Sequence, residues 1–198
     1  MLSSISPLGE RARGSRWWVT TAAYLLGSLA GGLALGGIAA MVGSALPDDL
    51  RTSRWTLVVV ALLLLVGLVL DLRAAPSVPS WRRQVDEQWL GRYRGWVYGA
   101  GFGAQLGFGV VTIVTSTTTY AAVLLAALTG HLGAGLAVGA TFGLVRALPS
   151  LLMARVVDRD GLHRAFTRLE QWTFPAAVIA KVALGAAAAI LMAAAVGS

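Results

Sequence analysis

The chain has 198 residues, a net charge of +7 and no cysteine. Hydrophobic residues make up 57% of it and charged residues only 13%, whereas globular chains average about 45–50% and about 25%. This composition excludes a disordered protein, a disulfide scaffold, a thiolate zinc site and thiol redox chemistry. A pI near 11.0 is also typical of nucleic-acid-binding proteins, so the positions of the arginines must decide between the two classes.

Five apolar runs approach or exceed the roughly 20 residues that a helix needs to cross a bilayer. They predict an all-α integral membrane protein with about five transmembrane helices in one membrane domain. In chain order the runs cover residues 19–46, 55–70, 96–128, 132–154 and 174–196. The third run has 33 residues and would be about 50 Å long as one helix, so it must tilt, protrude, break or form two spans.

The arginines lie between the apolar runs, which indicates membrane topology rather than nucleic-acid binding. With five spans, 12 loop arginines fall on one side of the membrane and only Arg51 and Arg54 on the other. Splitting the third run into two spans would reduce this contrast to 8 against 6. The positive-inside rule therefore favours five spans in a cell (inner) membrane, with a cytoplasmic N-terminal tail at 1–16 and the C-terminus outside.

Two cytoplasmic loops, 71–95 and 155–173, are predicted to contain amphipathic helices that lie in the membrane interface. Large apolar residues recur there at near-helical spacing, and the arginines between them are expected to face anionic headgroups. The alternative, a face that docks a peptide or nucleic acid, is less favoured. The stripes are Trp81, Val85, Trp89, Tyr93 and Trp96 in the first loop and Leu162, Phe166, Leu169 and Trp172 in the second.

Glycine recurs at every fourth position in two of the predicted spans. Small residues at this spacing form a flat stripe on which two helix backbones approach closely. We predict that the stripes pack helices within one subunit; a homodimer seam or a substrate groove is the alternative. The glycines are Gly95, Gly99, Gly103 and Gly107 in the third span and Gly135, Gly139 and Gly143 in the fourth.

Six hydroxyl-bearing residues lie among the eight positions 112–119, in the middle of the third span. Hydroxyls are costly in lipid unless they are hydrogen-bonded, and they can accept the backbone donors that a helix break releases. We predict an unwound or kinked segment that forms a substrate site near mid-membrane; a hydroxyl-rich packing interface fits equally well. The residues are Thr112, Thr115, Ser116, Thr117, Thr118 and Thr119.

Two basic residues are predicted inside the spans. Lys181 is expected to extend its charge to the inner headgroups. Arg146, three residues before Pro149, is predicted to face an anion or to act in gating, with extension to the headgroups as the alternative. Asp71 is expected to end the second span at the inner surface and could pair with either base. No acid is expected mid-span, which disfavours a proton- or cation-coupled pump.

No catalytic constellation is present in the sequence. His131 and His163 are predicted in loops on opposite sides of the membrane and could not share a metal ion. There is no phosphate-binding P-loop and no serine–histidine–acid set on one side. We therefore expect no enzyme, no metal site and no cofactor.

Three segments carry a resemblance to a known family: Gly99-Ala100-Gly101-Phe102-Gly103, the run that ends at Thr129-Gly130, and residues 139–149. They resemble the second half of the cytochrome c biogenesis transmembrane family, which includes CcdA and the central domain of DsbD. The shared features are a glycine-rich entry, a polar break, a long Ala/Leu helix ending at glycine, and a glycine–arginine–leucine–proline close. The resemblance covers roughly residues 95–155, with weaker agreement over 24–70.

The departures from the family are equally informative. The family carries a redox cysteine near the break in each of two inverted three-helix repeats, usually beside a proline. Here the break contains threonine and serine, and the family's first helix is not recognised. The resemblance therefore implies a five-helix form of the fold without the family's thiol chemistry, and it agrees with a cytoplasmic N-terminus.

Two functions remain. The first is a non-redox multi-pass protein that acts as a subunit or assembly partner of a larger membrane complex. The alternative is a small permease-like transporter that binds a small polar or anionic solute at the threonine-rich break. The expected partners are a bilayer with anionic headgroups and either other membrane subunits or further copies of the chain, and nucleic acid is not expected.

Overall fold

A computed structural model describes residues 6–73, 93–109 and 117–197 of the protein. This part of the chain is all-helical and contains no strand, so the all-α prediction is confirmed. The α-helices are α1 (Pro7–Ala12), α2 (Trp17–Ser44), α3 (Asp48–Arg51), α4 (Arg54–Leu72), α5 (Gly95–Phe108), α6 (Thr118–Thr129), α7 (Leu132–Ala147) and α8 (Arg159–Gly197). A 3-10 helix, Leu148–Arg155, joins α7 to α8.

Four helical segments in the described ranges are long and apolar enough to cross a membrane: α2, α4, Leu132–Ala154 and α8. The third predicted span, 96–128, contains two shorter helices, α5 and α6, instead of one long helix. Both follow α2 in the same direction, because Gly103 lies against Tyr24 near the start of α2 and Ala127 lies against Gly43 near its end. They therefore form one interrupted crossing parallel to α2.

Helix α2 occupies the centre of the bundle, with α5 and α6 along one side and α7, running antiparallel, along another. The contacts are made by backbone atoms: a Cβ added to Gly139 would lie 2.9 Å from the Gly32 carbonyl carbon and the Gly36 nitrogen. The Ser28 hydroxyl donates a hydrogen bond to the Gly143 carbonyl at 2.7 Å. All seven glycines of the two stripes are buried and lie against α2 of the same chain.

Helices α4 and α8 pack together beside the group formed by α2, α5, α6 and α7. Val60 and Leu64 of α4 form a buried cluster with Leu184 and Ala188 of α8 and with Ala121 of α6. The outer faces of both helices remain exposed, as in Leu63 at 51% and Ile179 at 68%. Exposed apolar side chains on a membrane-spanning helix face lipid or another subunit.

The structure differs from the prediction in the loop 155–173. Residues 159–173 do not form a separate interfacial helix but are the first part of α8, a continuous helix of 39 residues that contains Pro175. A proline removes one backbone hydrogen bond and bends a helix without always ending it. Half of the predicted stripe packs inside the protein: Leu162 and Leu169 contact a cluster of Met153, Val156 and Ala165, whereas Phe166 and Trp172 are exposed.

The other predicted interfacial helix lies outside the described residues, apart from Tyr93 and Trp96, which are both exposed. The described part of the predicted N-terminal tail, residues 6–16, contains the short helix α1. Ser6 caps α1 by accepting a hydrogen bond from the Gly9 N–H at 3.1 Å. The Leu8 N–H donates to the Val156 carbonyl at 3.1 Å, which ties α1 to the segment between the 3-10 helix and α8.

Candidate functional site at the helix interruption

Helix α5 ends at Phe108 and is followed by Gly109, whose φ of 70° is a left-handed conformation that favours glycine. The Gly109 N–H donates to the Gln105 and Leu106 carbonyls, which closes the last turn. The Phe142 ring of α7 packs on this glycine, since a Cβ placed there would lie 3.0 Å from the ring. The interruption therefore begins at a fixed glycine under an aromatic side chain.

The start of α6 is held by a carboxylate from another helix. Asp71, in the last turn of α4, accepts hydrogen bonds from the Thr117 N–H at 3.1 and 3.2 Å and from the Thr117 hydroxyl at 3.0 Å. Thr117 makes no side-chain capping bond of its own. A helix N-terminus has unpaired N–H groups and a partial positive charge, so Asp71 acts as its capping group.

Asp71 lies at the end of the second span, where the sequence analysis expected it, but its carboxylate bonds to the middle of the neighbouring interrupted crossing. Its partner Thr117 precedes Ala127 by ten residues of α6, or about 15 Å of helix, and Ala127 lies against Gly43 at the far end of α2. This is about half of the roughly 30 Å hydrocarbon core. The expectation that no acid lies in the middle of a span stays a prediction, as does the argument that it carried against coupled transport.

Arg146 of α7 reaches the same turn of α6. Its Nη1 donates a hydrogen bond to the Thr119 hydroxyl at 3.2 Å, and its guanidinium carbon lies 5.2 Å from the centroid of the Phe142 ring. Thr117 and Thr119 are 6% and 3% exposed. A carboxylate and a guanidinium thus hydrogen-bond to the first turn of α6 through two buried threonines. We call Asp71, Thr117, Thr119, Arg146 and Phe142 the interruption site.

The interruption site is suited to hydrogen-bonding a polar or charged group, and it offers no thiol because the chain has no cysteine. Within the three described ranges, no group of three histidine, aspartate or glutamate side chains could hold a metal ion. His131 lies immediately before α7, while His163 lies in the second turn of α8. The interruption site can therefore bind or orient a polar group through hydrogen bonds from its own residues.

Three of the predicted site residues are brought to this place: Thr117, Thr119 and Arg146. Thr118 lies in the first turn of α6, and Pro149 lies beyond α7 in the 3-10 helix. The other predicted hydroxyls, Thr112, Thr115 and Ser116, lie outside the described residues. Sequence reasoning missed Asp71 as a site residue, because an acid after an apolar run fits a membrane-surface position equally well.

A second buried polar cluster lies at the other end of α5 and was also missed. Glu10 of α1 has no exposed surface and accepts hydrogen bonds from Arg13 at 2.8 Å, from Thr20 at 2.9 Å and from the Tyr98 hydroxyl. Arg13 also lies over the Tyr98 ring. Burial lowers the pKa of Arg13, but the Glu10 hydrogen bond and the nearby Tyr98 outweigh it and raise that pKa above its usual value.

Comparison with known proteins extends the resemblance to nearly the whole chain. The model of the family described as "Cytochrome C biogenesis protein transmembrane region" matches residues 2–194, which confirms the resemblance predicted from the sequence. The methylamine utilization protein MauF of Paracoccus versutus is 32% identical over 161 residues, which cover 75% of this chain and 55% of the relative. MauF of Paracoccus denitrificans is 32% identical over 158 residues, covering 75% and 54%.

The chain spans about half the length of these curated relatives. No solved structure matches it.

Proposed function

This chain belongs to the cytochrome c biogenesis transmembrane family, and we propose that it serves in the maturation or assembly of another protein at the membrane without thiol chemistry of its own. Two of its relatives are named for methylamine utilization, a process-specific name that suits an accessory protein. We propose that it acts as a non-enzymatic partner within a membrane complex, with its N-terminus in the cytoplasm.

The observation that carries this proposal is the polar interruption in a cysteine-free member of the family. The resemblance implies redox cysteines near such a break, but here the residues at the restart of α6 are threonines bonded to Asp71 and Arg146. A half-buried carboxylate and a half-buried guanidinium between membrane-spanning helices are costly to keep. The free-energy cost of these two charged groups is explained if the interruption site positions or binds part of a partner protein, a role separate from electron transfer.

The exposed faces of α4 and α8 support the role of a partner. α8 presents Phe174, Ile179, Val182 and Ile190, each more than 60% exposed, on a helix whose length exceeds a simple crossing. The glycine stripes are already used against α2, so a partner subunit would contact these large side chains and not the glycines. We therefore propose α8 as the docking helix.

The test is purification from native membranes followed by mass spectrometry of the co-purifying chains. We expect one partner in a constant ratio, and we expect deletion of the gene to reduce the mature form of that partner. Arg146→Ala should reproduce the deletion, while Arg11→Ala, at an exposed position of α1 outside the proposed docking helix, should not. A deletion strain with normal amounts of every mature membrane and exported protein would refute the proposal.

A permease function is favoured by one observation, the oppositely charged Asp71 and Arg146 that flank the first turn of α6. In this alternative a small polar or anionic solute binds at the interruption site. Purified protein in liposomes should then move the solute, and Thr119→Val should abolish the flux. Thr141→Val is the matched control, since the Thr141 hydroxyl is exposed and bonds within its own helix to the Ala137 carbonyl. Equal flux from both variants would exclude the site.

A further inference from the structure

An open cavity of about 810 Å³, lined by both polar and apolar side chains, lies where α2 and α5 begin. Its volume is within the usual range of roughly 300–1,000 Å³ for ligand pockets. The residues that matter for its chemistry are Arg13, Arg16, Tyr93, Arg94, Trp96 and Tyr98. It lies at the opposite end of α5 from the interruption site and takes no part in the function proposed above.

Three arginines give this cavity its charge. Arg16 and Arg94 are exposed and, within the described part of the chain, form no ion pair. Arg13 is held in place by Glu10 at 2.8 Å and by the Tyr98 ring. Among the residues that the structure describes, the one carboxylate beside the cavity, Glu10, is thus already matched to Arg13, so these residues give the cavity an excess of about two positive charges.

The backbone adds to this positive field. Arg16 and Arg94 are the residues immediately before α2 and α5, and neither helix start has a side-chain cap. The two helices are parallel and closely packed, since Gly95 lies against Thr20. Their N-terminal N–H groups therefore point toward the same region and favour an anion next to the arginines.

The cavity also lies at the level where lipid headgroups are found. Two aromatic residues of its lining, Trp96 and Tyr93, are 53% and 49% exposed, and Trp18 in the first turn of α2 is 63% exposed. Tryptophan and tyrosine concentrate at the depth of the headgroups in membrane proteins. Guanidinium groups bind phosphate oxygens through paired charge-assisted hydrogen bonds.

We propose that this cavity binds the phosphate group of an anionic membrane lipid, held by Arg16 and Arg94 with Arg13 behind them. The exposed aromatic side chains contact the glycerol and acyl region of the same lipid. The lipid ties the starts of α2 and α5 together, and it does so at the end that the arginine distribution assigns to the cytoplasm.

The test compares lipid binding in detergent by native mass spectrometry and by thermal unfolding. Phosphatidylglycerol should bind to the wild type and raise its Tm, and phosphatidylcholine should do neither. The double variant Arg16→Gln/Arg94→Gln should bind phosphatidylglycerol at least about tenfold more weakly, because two charge-assisted contacts to the phosphate are lost. The control is Arg11→Gln/Arg168→Gln, which removes the same charge from exposed residues outside the cavity lining and should bind as the wild type does.

The remaining outcomes are also decisive. If the two double variants lose affinity equally, the effect is general charge and the site is refuted. If inorganic phosphate alone raises the Tm of the wild type at concentrations where phosphatidylglycerol has no effect, the lipid assignment is overturned. The Tm of Arg16→Gln/Arg94→Gln without lipid should match that of the wild type, and Arg16→Lys/Arg94→Lys should restore part of the binding.

Discussion

Replacing Gly139 by alanine would force α2 and α7 apart. The new Cβ would lie 2.9 Å from the Gly32 carbonyl carbon and the Gly36 nitrogen, whereas carbon contacts are normally about 3.5–4.0 Å. These neighbours and the still nearer Gly32 carbonyl oxygen are backbone atoms that cannot rotate away, so the helices must separate by at least about 1 Å. A gap of that size forfeits roughly a quarter to a half of each dispersion contact, and overpacking of this kind costs about 1–3 kcal/mol.

Gly133 is the matched control, because it lies on the same helix and has no atom within 4 Å of an added Cβ. Alanine is preferred to glycine in a helix interior by up to about 1 kcal/mol, and Gly133, in the first turn of α7, gains no more than Gly139 does. The difference between Gly133→Ala and Gly139→Ala is therefore a lower bound on the packing cost. We expect Gly133→Ala to be neutral or slightly stabilising, and Gly139→Ala to be less stable than it by about 1–3 kcal/mol.

The assay is thermal unfolding in detergent, monitored by the fluorescence of the seven tryptophans. For a chain of this size, about 1 kcal/mol shifts the Tm by roughly 2–4 °C, so the two variants should differ by about 2–12 °C. Equal Tm values, or a higher Tm for Gly139→Ala, would refute backbone-to-backbone packing of α2 against α7.

Three further predictions concern the polar clusters and the topology. Asp71→Asn removes the charge that caps α6 and should lower the free energy of unfolding by about 1.5–3 kcal/mol. The control is the exposed Asp49→Asn, which should change the free energy of unfolding by less than about 0.5 kcal/mol. Equal effects of the two variants in denaturation curves would contradict the capping role. Glu10→Gln weakens the charge-assisted hydrogen bonds that hold α1 and should lower the free energy of unfolding by about 2 kcal/mol. The measurement is limited proteolysis, which should cleave the segment before α2 faster in the variant. An unchanged cleavage rate would count against a role for Glu10. Because the chain has no cysteine, each of the variants Thr52→Cys and Thr167→Cys carries a single thiol that reports its own position. A membrane-impermeant maleimide should label Thr52→Cys in intact cells and Thr167→Cys only in permeabilised cells. The reverse labelling pattern would show that the predicted orientation is inverted.

The sequence predicts the features of this fold that depend on local composition. Apolar length placed α2 and α4 within two residues of their observed ends, and the four-residue glycine period identified the side of α7 that contacts α2. The polar run at 112–119 pointed to the segment between α5 and α6. These properties are readable because each depends on residues that are neighbours in the chain.

The missed features join distant parts of the chain. Asp71 and Thr117 are 46 positions apart, and Glu10 and Tyr98 are 88 apart. A single sequence gives no sign that such residues meet, because burial and hydrogen bonding depend on which helices become neighbours. The continuity of α8 was missed for another reason: the change from an amphipathic to an apolar pattern at Pro175 resembles the boundary of two elements.

The central position of α2 affects the order in which the protein can form during synthesis. The hydrogen bond from Ser28 to the Gly143 carbonyl cannot form until Gly143 has been synthesised, 115 residues later. At about 5–20 residues per second this is roughly 6–23 s, during which the glycine faces of α2 lack their partner helix. In that interval the helix depends on lipid or on the insertion machinery to cover its exposed backbone. Slow translation of the segment between α2 and α7 would lengthen this vulnerable period without altering the final structure.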